Sequence, residues 1–180
     1  IPSAATPANT PGTSGAPAPG PKLVTQFGTS AVDLNHARYT RWRLAGPEQQ
    51  PDAILVLVPG FEGGAGDFLI LAENLIRRAQ ADGQVLELWG VDRRTNQLED
   101  TAGLDVAEEF LDEQVALDWL FGGELNLTLS PLLSRRAQFH DPQADTAFMA
   151  GWTNLVLSQD IDAVIAQART VARNQNVFLG

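Results

Sequence analysis

Ala53-Ile-Leu-Val-Leu-Val-Pro-Gly-Phe-Glu-Gly-Gly-Ala-Gly-Asp-Phe68 is the stretch that decides the fold. Ile54 to Val58 are five consecutive apolar, mostly branched residues, the pattern of a strand buried on both faces. Pro59-Gly60 stops that strand, glycines recur at 63, 64 and 66, and a helical pattern starts near Asp67. Strand, glycine-rich turn and helix is how an α/β protein presents free backbone N–H groups to a negatively charged or polarised atom.

Downstream, Phe68, Leu71, Leu75 and Ala79, with Leu69, Ala72 and Ile76, form an apolar stripe at helical spacing. Arg77-Arg78 suit its last turns and Asp82-Gly83 closes it. Residues 85–89, ending in Trp89, read as the next strand, so a βαβ unit with a parallel pair is expected. Asp105 with Glu108 resembles a capping box opening a helix to Phe121, with Val106, Phe110, Val115 and Leu120 as apolar positions and Gly122-Gly123 as its stop. Residues 124–157 are rich in leucine and aromatics without a clean period. A last helix starts at Ser158 or Asp160, with Ile161, Val164, Ile165, Ala168, Val171 and Ala172 on one face, and residues 177–179 are the final strand. Upstream, residues 23–27 and 37–44 read as two strands. Residues 1–22, mostly Pro, Ala, Thr, Ser and Gly, read as a flexible arm preceding a domain over 23–180.

Composition narrows the function. Hydrophobic residues make up 44%, a globular value, and the net charge of −10 carries no basic footprint for nucleic acid. The pairs Arg77-Arg78, Arg93-Arg94 and Arg135-Arg136 are short and scattered among acids. With no cysteine there is no disulfide, thiol nucleophile or Cys-ligated zinc, and two distant histidines, His36 and His140, make no metal cluster, so no metal and no cofactor are expected. No apolar run approaches the roughly 20 residues of a membrane span. The opening Ile-Pro-Ser-Ala-Ala-Thr-Pro, without an initiator Met, fits a processed start and hence a secreted or periplasmic protein; a trimmed start would look the same. Neither Gly-x-Gly-x-x-Gly nor Gly-Lys-Ser/Thr occurs in the glycine-rich turn, which argues against a nucleotide.

The order of these elements resembles the N-terminal half of the α/β-hydrolase family: an antiparallel strand pair, a buried strand ending in Pro59-Gly60-Phe61, a helix, a strand ending in Val91-Asp92-Arg93-Arg94, an insertion, a helix and a strand ending at Gly180. The resemblance covers about residues 23–100 and 158–180, with Pro59 where the family often has His, and Arg94-Thr95 in place of small residues. It implies a mostly parallel sheet with helices on both faces and an apolar, lid-like insertion at about 101–157. It also implies backbone oxyanion-hole donors at Phe61 and Glu62, and a substrate pocket near Gly60 and Trp89. Such a donor lowers the barrier of acyl transfer by about 3–4 kcal/mol. The competing reading of the glycines is a strand-to-helix turn that needs them for its dihedrals; that of Trp89 is core packing, and that of the insertion is a homodimer contact.

No Gly-x-Ser-x-Gly nucleophile elbow occurs in the 180 residues. In the family it follows the strand that here ends at Gly180, and the acid and histidine come later, so His36 and His140 read as loop residues and Asp92, Asp100 and Asp105 as turn and cap residues. The expectation is a serine hydrolase of small or lipid-like carboxylic esters whose C-terminal half, on the same or a cleaved chain, supplies the catalytic residues. A non-catalytic α/β binding module and a hydrolase-fold enzyme with an Asp nucleophile are the alternatives.

Overall fold

Alternation along two adjacent strands builds the sheet. The computed structural model describes residues 1–3, 34–60, 63–140 and 147–180; the expected strand at 23–27 and most of the expected arm lie outside them. Four strands are described: β1 (Arg38–Trp42), β2 (Ala53–Leu57), β3 (Leu86–Asp92) and β4 (Val177–Leu179). Their order is β1-β3-β2-β4, with β1 antiparallel to β3 and the other two pairings parallel. The described helices are α1 (Leu69–Ala81), α2 (Ala102–Phe110), α3 (Glu113–Phe121) and α4 (Asn154–Val171). The architecture is therefore α/β with a mixed sheet.

The chain divides into two compact units. In the first, which includes residues 34–60, 63–97 and 148–180, each central strand sends alternate side chains to opposite faces. Leu57 and Leu88 meet Ala72 and Ile76 of α1 on one face. Ile54, Val56, Trp89 and Val91 meet Val164 and Ala168 of α4 on the other. Each fully buried Ile, Leu or Val stabilises the fold by about 1.5–3 kcal/mol. At the far end of α1, Gly83 (φ 74°) takes the left-handed conformation, and Gln84 N–H donates to Ala79 O at 2.9 Å, the Schellman stop that Asp82-Gly83 predicts. Only part of the α1 stripe is inside: Leu69, Ile70 and Leu71, in the first turn, are exposed.

Three further expectations are corrected. The strand ending at Trp89 continues to Asp92, because β1 pairs along it from Trp42↔Leu88 to Arg38↔Asp92. The last helix begins at Asn154, so Asp160 is no cap: it occupies the buried row Val156, Asp160, Val164, Ala168. Residues 1–3 are not a free arm, since Ser3 N–H donates to Asn35 O and Ala37 N–H to Ile1 O, at 3.0 and 2.8 Å.

The second unit includes residues 98–140. The single helix expected over 105–121 is two helices. Leu111 turns left-handed (φ 52°) and the Asp112 side chain accepts from Gln114 N–H at 3.0 Å, so Asp112 is an N-cap that starts α3. Asp105 lies in the first turn of α2, whose N-cap is Thr101. Ala107, Val115, Trp119 and Leu133 form a small core, and Phe110, expected among the apolar contacts, is exposed. The segment after α3 lacks a hydrophobic period because ions hold it. Arg135 forks onto Asp100 (2.5 and 3.1 Å) and stacks over Trp119, and Arg136 reaches the buried Asp118 at 3.2 Å.

Candidate functional site

In open α/β sheets a ligand crevice forms outside the carboxyl ends of the strands where the strand order reverses. Here the order reverses at β2, which has β3 on one side and β4 on the other. β2 leads to α1 on one face, and β3 leads, through the second unit, to α4 on the other. The residues gathered there are Pro59 and Gly60 from the first exit, Gly63 to Gly66 from the same turn, and Asp92, Arg93, Arg94 and Asn96 from the second.

Two consecutive residues of β3's exit reach across to the glycine-rich turn. Asp92 Oδ1 accepts the Ala65 N–H at 2.9 Å, and Arg93 Nη2 donates to Pro59 O at 3.2 Å. Arg93 Nε is buried and makes no hydrogen bond. Arg93 N–H donates to Asn96 Oδ1 at 2.8 Å and Asn96 N–H to Arg93 O at 3.0 Å, closing the turn beneath them. Arg94 points the other way, into the core. Its guanidinium grips both oxygens of Asp160 at 2.8 and 2.9 Å and donates to Asn35 Oδ1 at 3.1 Å, while the Ser3 hydroxyl donates to Asp160 at 2.5 Å. Both partners of this ion pair are almost fully buried.

The glycines of the turn separate the two readings of it. Gly46 and Gly83 are the described glycines with positive φ, so Gly60, Gly63, Gly64 and Gly66 are not there for left-handed dihedrals. At Gly63 a Cβ would stand 2.4 Å from Asp67 Oδ2, the tip of an exposed side chain, and 3.1 Å from Pro59 Cβ. Among the described residues, a Cβ on Gly60 or Gly66 would meet nothing within 4 Å.

The strand β4 ends on the same rim. Val58 N–H donates to Gly180 O at 3.0 Å and Gly180 N–H to Val56 O at 2.9 Å, so Gly180 lies beside the residue that precedes Pro59-Gly60.

Of the expected site residues, Gly60 is exposed at this rim, whereas Phe61 and Glu62 lie outside the described residues. Trp89 is corrected as a pocket wall: it stands in mid-strand at 1% exposure, stacked on Tyr39 at 4.5 Å. Its Nε1–H donates to Glu87 Oε2 at 2.9 Å, which gives the indole nitrogen its partner inside the core. Asp92, expected in a turn or cap, is the last residue of β3 and reaches a neighbouring loop. The only hint of it in sequence is an acid placed directly after an apolar strand. A separate small cavity of about 90 Å³ lies at the opposite end of the strands, among Arg43, Leu44, Gln80, Val85 and Glu87. Among the described residues no acidic or histidine cluster could hold a metal ion, and no helix is long and apolar enough to cross a membrane.

Compared with family models, curated proteins and solved structures, the chain gives no match.

Proposed function

We propose that these residues are the N-terminal half of a serine-type α/β-hydrolase acting on carboxylic esters, with the nucleophile on a strand-to-helix turn that continues from β4. The observation that carries this reading is the register of β4, which sets Gly180 level with Leu57 and bonds its carbonyl to Val58 N–H. A residue following Gly180 emerges next to the Pro59-Gly60 turn, where a seryl oxygen and a backbone oxyanion donor have to converge on one carbonyl. The open space among the described residues beside Gly60 and Gly66 supports it, since a substrate needs room there. In this reading Phe61 and Glu62 donate their N–H groups to the oxyanion, and the protein is exported.

A non-catalytic binding module is favoured by one observation: the Ala65 amide is already taken by Asp92, so the turn satisfies part of its own donor capacity. Treating the full gene product with a fluorophosphonate probe decides between the two. The hydrolase reading expects covalent labelling of one serine downstream of Gly180 and an intact mass above 19.4 kDa. Folded protein that takes up no label overturns it, as does a reading frame that closes at Gly180.

A further inference from the structure

We propose that the outer side of α3 is a docking surface for a basic amphipathic helix of a partner protein. The partner sets an apolar row on Leu117, Phe121 and Leu125 and its ammonium or guanidinium groups against the acids around them. The surface lies wholly within the second unit, and the proposal goes beyond the hydrolase reading and does not rest on it.

The helix turns an acid inward and apolar residues outward. Its buried residues are Val115, Asp118 and Trp119. The Asp118 carboxylate accepts the Ser130 N–H and is paired with Arg136 at 3.2 Å. On the outer side stand Leu117 and Phe121, four residues apart, and Leu125 extends the row by a turn, since Leu125 N–H donates to Phe121 O at 2.8 Å. Side chains at this spacing lie one above another. The three are 44, 45 and 60% exposed. Rolling the helix to hide them would draw Asp118 off Arg136, and Trp119 out of the core it shares with Ala107, Val115 and Leu133. The row is therefore held outside. A helix serving only its own unit would place the acid in water and the apolar row in the core.

The joint before α3 shows the same preference. Leu111 has φ 52° and is 93% exposed. Left-handed backbone strains any residue with a Cβ, and Gly or Asn is the usual choice there. Leucine at this position adds nothing to the small core of the unit, yet offers an apolar side chain to the outside. Exposed apolar surface rimmed by polar residues marks a contact site.

Charge decides the occupant. Glu113 stands four residues before Leu117 and Glu124 three after Phe121, while Glu108, Glu109 and Asp112 precede α3; all five are exposed. Residues 98–140 hold nine acids and two arginines, and both arginines are committed to acids of the unit, Arg135 to Asp100 and Arg136 to Asp118. A second copy would bring the same acids face to face, and an anionic lipid surface is repelled for the same reason. A helix suits the row in length, because three side chains at this spacing span about 12 Å of axis. One with apolar residues at i, i+3 or i+4 and i+7, flanked by Lys or Arg, suits it in charge.

The experiment titrates the full gene product into a fluorescent, amidated peptide of about 18 residues, with leucines at helical spacing and lysines elsewhere, and reads anisotropy. The expected Kd is on the order of 10 μM at about 0.05 M salt, weakening about 10-fold by about 0.3 M. Leu117→Ser combined with Phe121→Ser should weaken binding about 10-fold or more without altering thermal melting, since both side chains already meet water. Where that pair does lower the melting temperature, Leu125→Ser alone, beyond the end of α3, should still weaken binding about 3-fold. Glu113→Gln with Glu124→Gln should flatten the salt dependence, and a peptide with glutamates in place of the lysines should not bind. Binding that survives loss of the apolar row, or an acidic peptide that binds as tightly, overturns the proposal. Self-association in sedimentation that the serine pair abolishes gives the face to a second copy, and binding to phosphatidylcholine vesicles that the pair abolishes gives it to a membrane; either overturns the proposal as well. Absence of fluorophosphonate labelling bears on the hydrolase reading alone and leaves every one of these outcomes in force.

Discussion

Glu87 has 1% of its surface exposed, at the second position of β3, yet is surrounded by donors. Arg41 grips both of its oxygens at 2.6 and 2.7 Å, and the Trp89 indole donates to Oε2 at 2.9 Å. Hydrogen bonding to Glu87 outweighs desolvation and holds the Arg41 guanidinium further above its ordinary range. Removing one member strands the other. Arg41→Ala should cost about 3–5 kcal/mol in denaturant unfolding, the range for orphaning a buried charge. Glu87→Gln added to Arg41→Ala should return a substantial part of that loss, since a neutral amide is cheaper to bury and still serves Trp89. A double variant no more stable than the single one would show that packing of the arginine stem, not charge, is at stake. Nothing in the sequence distinguishes Glu87, Arg94 or Asp160 from a solvated residue, because the partner of each lies tens of residues away. Trp89 was legible as a core residue but not as one that needs an acid beside it.

At the scale of elements, periodicity was informative where packing was two-sided and silent where ions took over. The buried run at β2, the helix after it and the apolar row of α4 follow their spacing. The break between α2 and α3 does not, because a cap at Asp112 and a left-handed Leu111 compete with an otherwise continuous pattern. The segment that follows is closed by Asp100, whose carboxyl burial pushes up. The Arg135 fork and the Gln138 N–H outweigh that burial and leave the group below its usual carboxylate range. The folded form therefore holds this proton less tightly than the unfolded chain, and acid favours unfolding. The contribution is complete above about pH 4, the ordinary Asp value, and disappears as pH falls from there through the folded value. Thermal melting of Asp100→Asn should start well below wild type at neutral pH and converge on it upon acidification. A gap that stays constant from about pH 6 to pH 3 would mean that the acid's ionisation is irrelevant to this loop.

For the molecule as a whole, strand order was beyond the sequence and strand type was not. The βαβ expectation gave the parallel pair of β2 and β3. That β4 would return to the far side of β2, bringing Gly180 level with Leu57, depends on a crossover that no local pattern records. The return leaves β4 at the end of the described sheet with Phe178 and Leu179 about 60% exposed. An apolar strand at a sheet's border recruits other strands. The 180-residue polypeptide on its own should therefore self-associate in light scattering, and Phe178→Lys should suppress this without altering its melting. A monodisperse monomer at high concentration would remove the case for a missing neighbour along that border. The candidate site was legible in its glycines and illegible in what grips them, since Asp92 and Arg93 act across 27 and 34 residues of intervening chain.

The Arg94–Asp160 bond has a topological side as well. It joins positions 66 apart, one just before the chain leaves the sheet unit and the other soon after it returns, so that the long excursion is stapled at its root. Most of the entropy of closing so long a loop is then met inside the sheet unit, and lengthening the loop adds only logarithmically to it. The excursion can accordingly be treated as an exchangeable cassette. Its interior sequence is open to rewriting, shortening or replacement, whereas the two charged residues at its base are not.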